Sequence, residues 1–164
     1  MLKKLLAIFI AGMMSTAQAQ NFEEFPVENI HFHMGVVAAF AEVVNVEVKQ
    51  IGLSEMFNEE DATKWEPVIK HIADRNDVLY YRENDFLVRD LFPSLKTDGL
   101  TLFVIYKGDT LDKYLALKKR KAELIASNKY NEAGRKEIAT GFGKLLDYSD
   151  EVINRLISSN GNGH

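Results

Sequence analysis

The longest β-branched and aromatic run beyond the N-terminal region covers residues 100–106. Asp98 and Gly99 precede it and Gly108 and Asp109 follow it, and both pairs are typical of turns. A short apolar run between turn signals is typical of a strand buried on both faces. We therefore predict that residues 100–106 form the central strand of a sheet.

Two elements are predicted before this strand from contrasting hydrophobic patterns. Residues 27–44 are almost continuously apolar and rich in alanine, which favours a buried helix from about Glu28. The opening residues 30–33 fit a strand equally well. Residues 44–49 alternate strictly between apolar and polar, which predicts a half-buried strand with Val44, Val46 and Val48 inward.

The next segment predicts helices followed by a hairpin. Trp65, Val68, Ile69 and Ile72 fall at helical spacing, and Asn58 is a candidate N-cap. Because a proline at position 67 interrupts the pattern, we predict two short helices that meet near Trp65. Residues 78–81 and 86–88 predict two strands, joined by a hairpin turn over residues 82–85.

Three helices are predicted after the central strand. The first begins at Asp109 or Thr110 and ends near Asn128, and the second begins at Asn131. The third follows a cap at Ser149. The order of elements indicates an α+β (or compact α/β) fold, in which helices cover a small mixed sheet of about four strands and two helices are C-terminal.

The N-terminus has the features of a signal peptide. Lys3 and Lys4 precede an apolar stretch that is too short to span a bilayer, and Ala17-Gln18-Ala19 matches a cleavage pattern. We predict a signal peptide over residues 1–19, a single α+β domain over residues 20–157 and a flexible tail over residues 158–164. The location would be periplasmic or secreted, with no membrane span in the mature chain.

Composition narrows the classes of function. Without residues 1–19 the chain keeps 18 basic and 24 acidic residues, a net charge of −6, which argues against nucleic acid as a partner. The chain has no cysteine, so disulfides and thiolate chemistry are excluded. The oligomeric state is left open.

The histidines are the first candidates for chemistry. On a strand, His31 and His33 would share a face and could ligate a divalent metal, with His71 as a third ligand. On a helix they lie about 200° apart and cannot share an ion. His31, His33 and Glu42 are the candidate catalytic residues, although His31 and Glu42 would be about 16 Å apart along a helix. The alternative is a hydrogen-bonded core histidine.

A second candidate site mixes aromatic and charged residues. Tyr80 and Tyr81 would lie on opposite faces of their strand. One of them, with Arg82 or Arg89, could bind an anionic or sugar-like ligand by stacking and forked hydrogen bonds. The alternative is a hairpin with solvated charges. The basic run over residues 118–121 is interpreted as a solvated helix face.

Two functions from different classes fit these features. The first is a domain outside the cytoplasm that binds a small polar molecule or a partner protein. The second is a small histidine-dependent, metal-assisted or metal-free, lyase or hydrolase that acts on a polar metabolite or carbohydrate. An enzyme predicts that a histidine meets a carboxylate in a concave pocket, and a binding domain predicts dispersed histidines.

Overall fold

The computed structural model describes residues 27–92 and 95–161. The predicted signal peptide and residues 162–164 of the predicted tail lie outside these ranges. The elements in chain order are α1 (Val27–Asn45), β1 (Ile51–Leu53), β2 (Phe57–Asn58), α2 (Glu59–Arg75), β3 (Leu79–Glu83), α3 (Val88–Leu91), β4 (Leu100–Tyr106), α4 (Thr110–Ala126), α5 (Glu132–Leu145) and α6 (Asp150–Gly161). No helix among the described residues is long and apolar enough to cross a membrane.

Strand β4 is the centre of the sheet, as predicted. It pairs with β1, β2 and β3, and every pairing is antiparallel. Its four middle residues, Leu102 to Ile105, are at most 2% exposed. The α+β class, the number of four strands and the two C-terminal helices are confirmed, while the sheet is antiparallel where we predicted a mixed one.

The two faces of β4 belong to different halves of the core. Phe103 and Ile105 pack with apolar residues of α1 and α2. Leu102 and Val104 pack on the opposite face with residues of α3, α4, α5 and α6. Since successive side chains of a strand point to opposite faces, one continuous apolar strand can hold both halves together.

One extra residue between β1 and β2 shifts their pairing with β4. Leu53 lies opposite Val104, whereas Phe57 lies opposite Thr101. Ser54 bridges the interruption, because its N–H donates to Phe103 O at 2.9 Å and its hydroxyl accepts from Phe103 N–H at 2.8 Å. The irregular segment that follows carries Glu55 to the side of α1.

The predicted strand over residues 44–49 is wrong. Helix α1 extends to Asn45, and Val46 and Val48 are 60% and 67% exposed. Glu47 has a positive φ of 59°, and the N–H groups of Val48 and Lys49 both donate to Val43 O. These bonds satisfy a carbonyl at the helix end, so backbone bonding rather than side-chain alternation decides the local structure.

The predicted break in the following helix is also wrong. Helix α2 is continuous from Glu59 to Arg75 with Pro67 inside it. Pro67 is exposed, while Trp65, Val68 and Ile69 are buried on the opposite side. Packing of this single apolar stripe therefore outweighs the hydrogen bond that proline removes. The predicted cap is confirmed, because Asn58 Oδ1 accepts from Asp61 N–H at 2.8 Å.

The predicted hairpin after β3 does not form. Residues 86–88 pair with no described strand. Phe86 and Leu87 are buried in the half of the core that also contains Leu102 and Val104. The chain turns away after Glu83, whose carboxylate accepts from Asp85 N–H at 2.8 Å. The strand partner of β3 is β4, which lies further along the chain.

Helix α4 buries two of its apolar side chains, Tyr114 and Leu124. Tyr114 is buried, whereas Leu115 and Ile125 are 38% and 52% exposed. The side chains of Lys118 and Lys121 are only 20% and 22% exposed, so their stems cover part of the inner face. This arrangement brings two lysines to the edge of the core.

Candidate functional site

His33 lies in an aromatic cluster beside α1. Its ring centroid is 4.8 Å from that of Trp65 and 5.4 Å from that of Phe57. Its Nδ1 is hydrogen-bonded to the carboxylate of Glu55. Burial lowers the pKa of His33, and the nearby charge of Asp61 partly opposes this shift. A neutral ring that donates Nδ1–H to Glu55 fits these surroundings.

The other predicted catalytic and metal-binding residues lie elsewhere. Glu42 and His71 are exposed and line a groove of about 510 Å³ between α1 and α2, together with Arg75. Glu42 follows His33 by nine residues, about 14 Å along the helix. The structure therefore places His33 with Glu55, and Glu42 with His71, at separate positions.

The predicted metal site is only partly described. His31 belongs to α1, but its side chain lies outside the described residues. Among the side chains that the structure describes, no three of the metal-ligating types are close enough to hold an ion. His33 and His71 by themselves thus supply no described metal centre.

The predicted ligand-binding residues on β3 make their contacts with other residues of the protein. Tyr80 and Tyr81 pack against opposite halves of the core, as predicted from their alternation. The Arg82 guanidinium donates to Glu66 and to Glu59, both at 2.6 Å. Arg82 therefore ties β3 to α2 and has little capacity for an outside ligand.

Arg89 lies apart from these residues, at a cavity of about 580 Å³. The cavity lies between the residues that follow β3, the turn before β4, helix α4 and the start of α5. The polar residues on its wall include Asn84, Asp90, Thr97, Lys121, Tyr130 and Arg135. Arg89 is thus the one predicted ligand-binding residue that borders this cavity.

A buried hydrogen-bonded group forms the floor of this cavity. The Asp90 carboxylate is 1% exposed and accepts a bond from Lys121 Nζ at 2.7 Å. The Tyr130 hydroxyl also donates to Asp90. Burial and the charge of Asp90 raise the pKa of Tyr130, so its hydroxyl stays protonated at neutral pH. The floor is therefore fixed in place.

Two arginines stand at the rim. Arg89 forms an ion pair with Asp98 at 3.2 Å, but their side chains are 52% and 92% exposed, so the pair is weak. The guanidinium carbon of Arg135 lies 5.6 Å from the Tyr130 ring centroid. Among the described residues, no carboxylate lies within ion-pair distance of Arg135.

A second buried carboxylate adjoins the cavity. Glu83 is 1% exposed in its side chain, and Lys118 Nζ donates to both of its oxygens at 2.8 and 2.7 Å. Burial and the charge of Glu83 raise the pKa of Tyr114, which is hydrogen-bonded to the same carboxylate. Lys118 Nζ also lies 3.7 Å from Asp85, which lines the cavity.

Our interpretation of residues 118–121 as one solvated face missed both buried pairs. Lys118 and Lys121 each neutralise a buried carboxylate, Glu83 and Asp90 respectively. Their positions four and seven residues after Tyr114 place all three on one helix face. The spacing from Tyr114 indicates that both lysines face inward, because a buried tyrosine identifies the side of α4 that faces the core.

Comparison with models of protein families, with curated proteins and with solved structures finds no match to this chain. The chemistry of the cavity is therefore the basis for assigning a function. Its floor is neutralised and hydrogen-bonded, and its rim offers guanidinium groups to the solvent. Such a site can bind and orient a polar molecule.

Proposed function

We propose that the protein is a domain outside the cytoplasm that binds a small polar ligand in the cavity above Tyr130. The observation that carries this proposal is the combination of an open cavity with a buried, hydrogen-bonded floor of Asp90, Lys121 and Tyr130. A binding site needs side chains that are already ordered, because ordering them on binding weakens affinity.

The size and the lining of the cavity support a small molecule rather than a protein partner. A volume of about 580 Å³ falls within the range of roughly 300–1,000 Å³ that is typical of small-molecule sites. Asn84, Thr97 and Arg89 supply hydrogen-bonding groups on the wall. These groups favour a ligand with several polar atoms.

The same cavity gives little support to acid–base catalysis. The Tyr130 hydroxyl is protonated at neutral pH even at the ordinary tyrosine pKa of 10, and burial and Asp90 raise this pKa further, which makes it a poor proton donor. The oxygens of Asp90 already accept bonds from Lys121 and Tyr130. We therefore favour binding over turnover at this site.

A variant that fills the cavity tests the proposal. Asn84 is exposed on the cavity wall, so Asn84→Trp would occupy the space without disturbing the core. Asn154→Trp, at an exposed position on α6, is the matched control. A panel of small carboxylates, amino acids, sugars and phosphate esters would be screened by thermal shift and calorimetry. We expect at least one compound to bind the parent protein and the control but not Asn84→Trp. Equal binding to all three proteins, or no binding, contradicts the proposal.

The location outside the cytoplasm rests on the predicted signal peptide. Cleavage after Ala19 would give a mature chain that begins at Gln20. N-terminal sequencing of the exported protein tests this part independently of the cavity. A chain that retains Met1 in the cytoplasmic fraction would contradict it.

A histidine-dependent enzyme is the second candidate, and the hydrogen bond between His33 and Glu55 favours it. A carboxylate that orients an imidazole is a recurring arrangement in general base catalysis. Screens for lyase and hydrolase activity on polar metabolites and carbohydrates would compare His33→Gln with His71→Gln. Activity lost only in His33→Gln would support this candidate, and activity that survives in both would exclude His33.

A further inference from the structure

We infer that the ligand carries an anionic oxygen group, a carboxylate or a phosphate, and that Arg135 is the residue that binds it. This inference rests on the proposed binding function of the cavity above Tyr130. It adds the chemical class of the ligand and the group that recognises it.

The first argument is the distribution of charge around the cavity. Lys121 is neutralised by the buried carboxylate of Asp90. Arg89 lies beside the exposed carboxylate of Asp98. Asp85, the third carboxylate of the lining, lies 3.7 Å from Lys118, so the lining as a whole balances three basic with three acidic side chains. Arg135 is the basic side chain of the lining that has no carboxylate partner within the described part of the chain, so its positive charge is local to its own position at the rim. An anion is the ligand that this charge attracts.

The second argument is the geometry of the guanidinium. Arg135 lies over the ring of Tyr130, with 5.6 Å between the guanidinium carbon and the ring centroid. Among the described residues no acceptor is hydrogen-bonded to the Arg135 side chain, so its N–H groups are free to donate to a ligand. Paired N–H donors in one plane match the two oxygens of a carboxylate or of a phosphate.

The third argument is that the Tyr130 ring is fixed and already bears a second cation. Its hydroxyl is held by Asp90, and Lys121 Nζ lies 5.4 Å from the ring centroid. Asp90 offsets the charge of Lys121, so Arg135 is the cation at this ring whose charge no described carboxylate offsets. An anion bound at Arg135 would offset that charge while the bonds of Asp90 to Lys121 and Tyr130 stay in place.

A pair of matched arginine variants tests the inference. Arg135→Gln removes the charge at the cavity, and Arg155→Gln removes the charge of another exposed arginine, on α6. Succinate, inorganic phosphate and glucose would be titrated at low ionic strength, with binding followed by the NMR shifts of the Tyr130 amide and the Arg135 Nε–H. Succinate represents carboxylates, phosphate represents phosphoryl groups, and glucose is the neutral comparison.

We expect succinate or phosphate to cause saturable shifts in the parent protein and in Arg155→Gln. In Arg135→Gln the affinity of that anion, followed at Tyr130, should fall by at least about 10-fold, because a charge-assisted bidentate bond is lost. Unchanged affinity in Arg135→Gln, or no saturable shift with either anion, overturns the inference.

Glucose separates this inference from the proposal on which it depends. One outcome is that neither anion binds, whereas glucose binds the parent protein and Arg135→Gln with equal affinity and does not bind Asn84→Trp. In that case the inference fails and the binding function stands. If no compound of any class binds in a way that Asn84→Trp blocks, both fail.

Discussion

Removing the ammonium group of Lys118 tests the buried pair that adjoins the cavity. In Lys118→Met the stem of the side chain is retained, but the Glu83 carboxylate, 1% exposed, loses its cation. Removing one partner of a buried ion pair costs roughly 3–5 kcal/mol, because the remaining charge is desolvated and uncompensated. Glu83 keeps the bond from Asp85 N–H, and Lys118 is 20% exposed, so we expect about 3 kcal/mol.

Urea unfolding of three variants measures this value. Lys119→Met, at the exposed neighbouring position, should change the free energy of unfolding by less than about 0.5 kcal/mol. The double variant Lys118→Met/Glu83→Gln should recover part of the loss, since the carboxylate is gone as well. In thermal unfolding, about 3 kcal/mol corresponds to a decrease in Tm of roughly 6–12 °C for a chain of this size.

The reasoning would be refuted if Lys118→Met and Lys119→Met had the same stability. That result would mean that the lysine contributes nothing to the burial of Glu83. A double variant as unstable as Lys118→Met alone would also contradict the electrostatic explanation, because it would assign the loss to packing.

Three further predictions concern stability. Gly134→Ala should destabilise the protein by about 1–3 kcal/mol, because a Cβ there would lie 2.4 Å from Lys129 O, a backbone atom. Gly35→Ala, whose Cβ would meet no described side chain within 4 Å, should stabilise α1 by about 0.5–1 kcal/mol. Equal effects of the two substitutions in urea unfolding would contradict this pair of predictions. Burial lowers the pKa of His33 below its ordinary 6.5, so the unfolded chain binds this proton more readily than the folded one. The free energy of unfolding should therefore fall as the pH decreases below 6.5. The fall should be smaller in His33→Gln than in the parent protein or His71→Gln, and an unchanged fall would contradict this.

The sequence was sufficient for those elements whose structure depends on local chemistry. The continuous apolar run over residues 100–106 predicted the central strand, because only a strand covered on both faces needs such a run. Asn58 and Asn131 predicted helix starts, and both side chains accept a bond from a backbone N–H three residues on. Asn128 predicted the end of α4 and has a positive φ of 54°.

The sequence was insufficient where distant contacts decide the outcome. Val46 and Val48 alternate like strand residues, but the end of α1 controls their backbone. Pro67 suggests a break that the packing of α2 prevents. Local pattern does not show which contacts the rest of the fold will supply to an element.

The cavity escaped prediction for the same reason. Asp90 meets Lys121 and Tyr130 across 31 and 40 positions of sequence. Arg89 alone among the predicted ligand-binding residues borders the cavity, because it follows the segment that turns away from the sheet. A search for lysines on the same helix face as Tyr114 would have found Lys121, one of the three residues of the floor.

The most direct test of the central claim is equilibrium dialysis of the protein against an extract of small metabolites, with mass spectrometry of the retained compounds. The account predicts that the parent protein and Asn154→Trp retain at least one small anionic compound that Asn84→Trp and Arg135→Gln do not. The claim would be contradicted if no compound were enriched on the parent protein relative to Asn84→Trp.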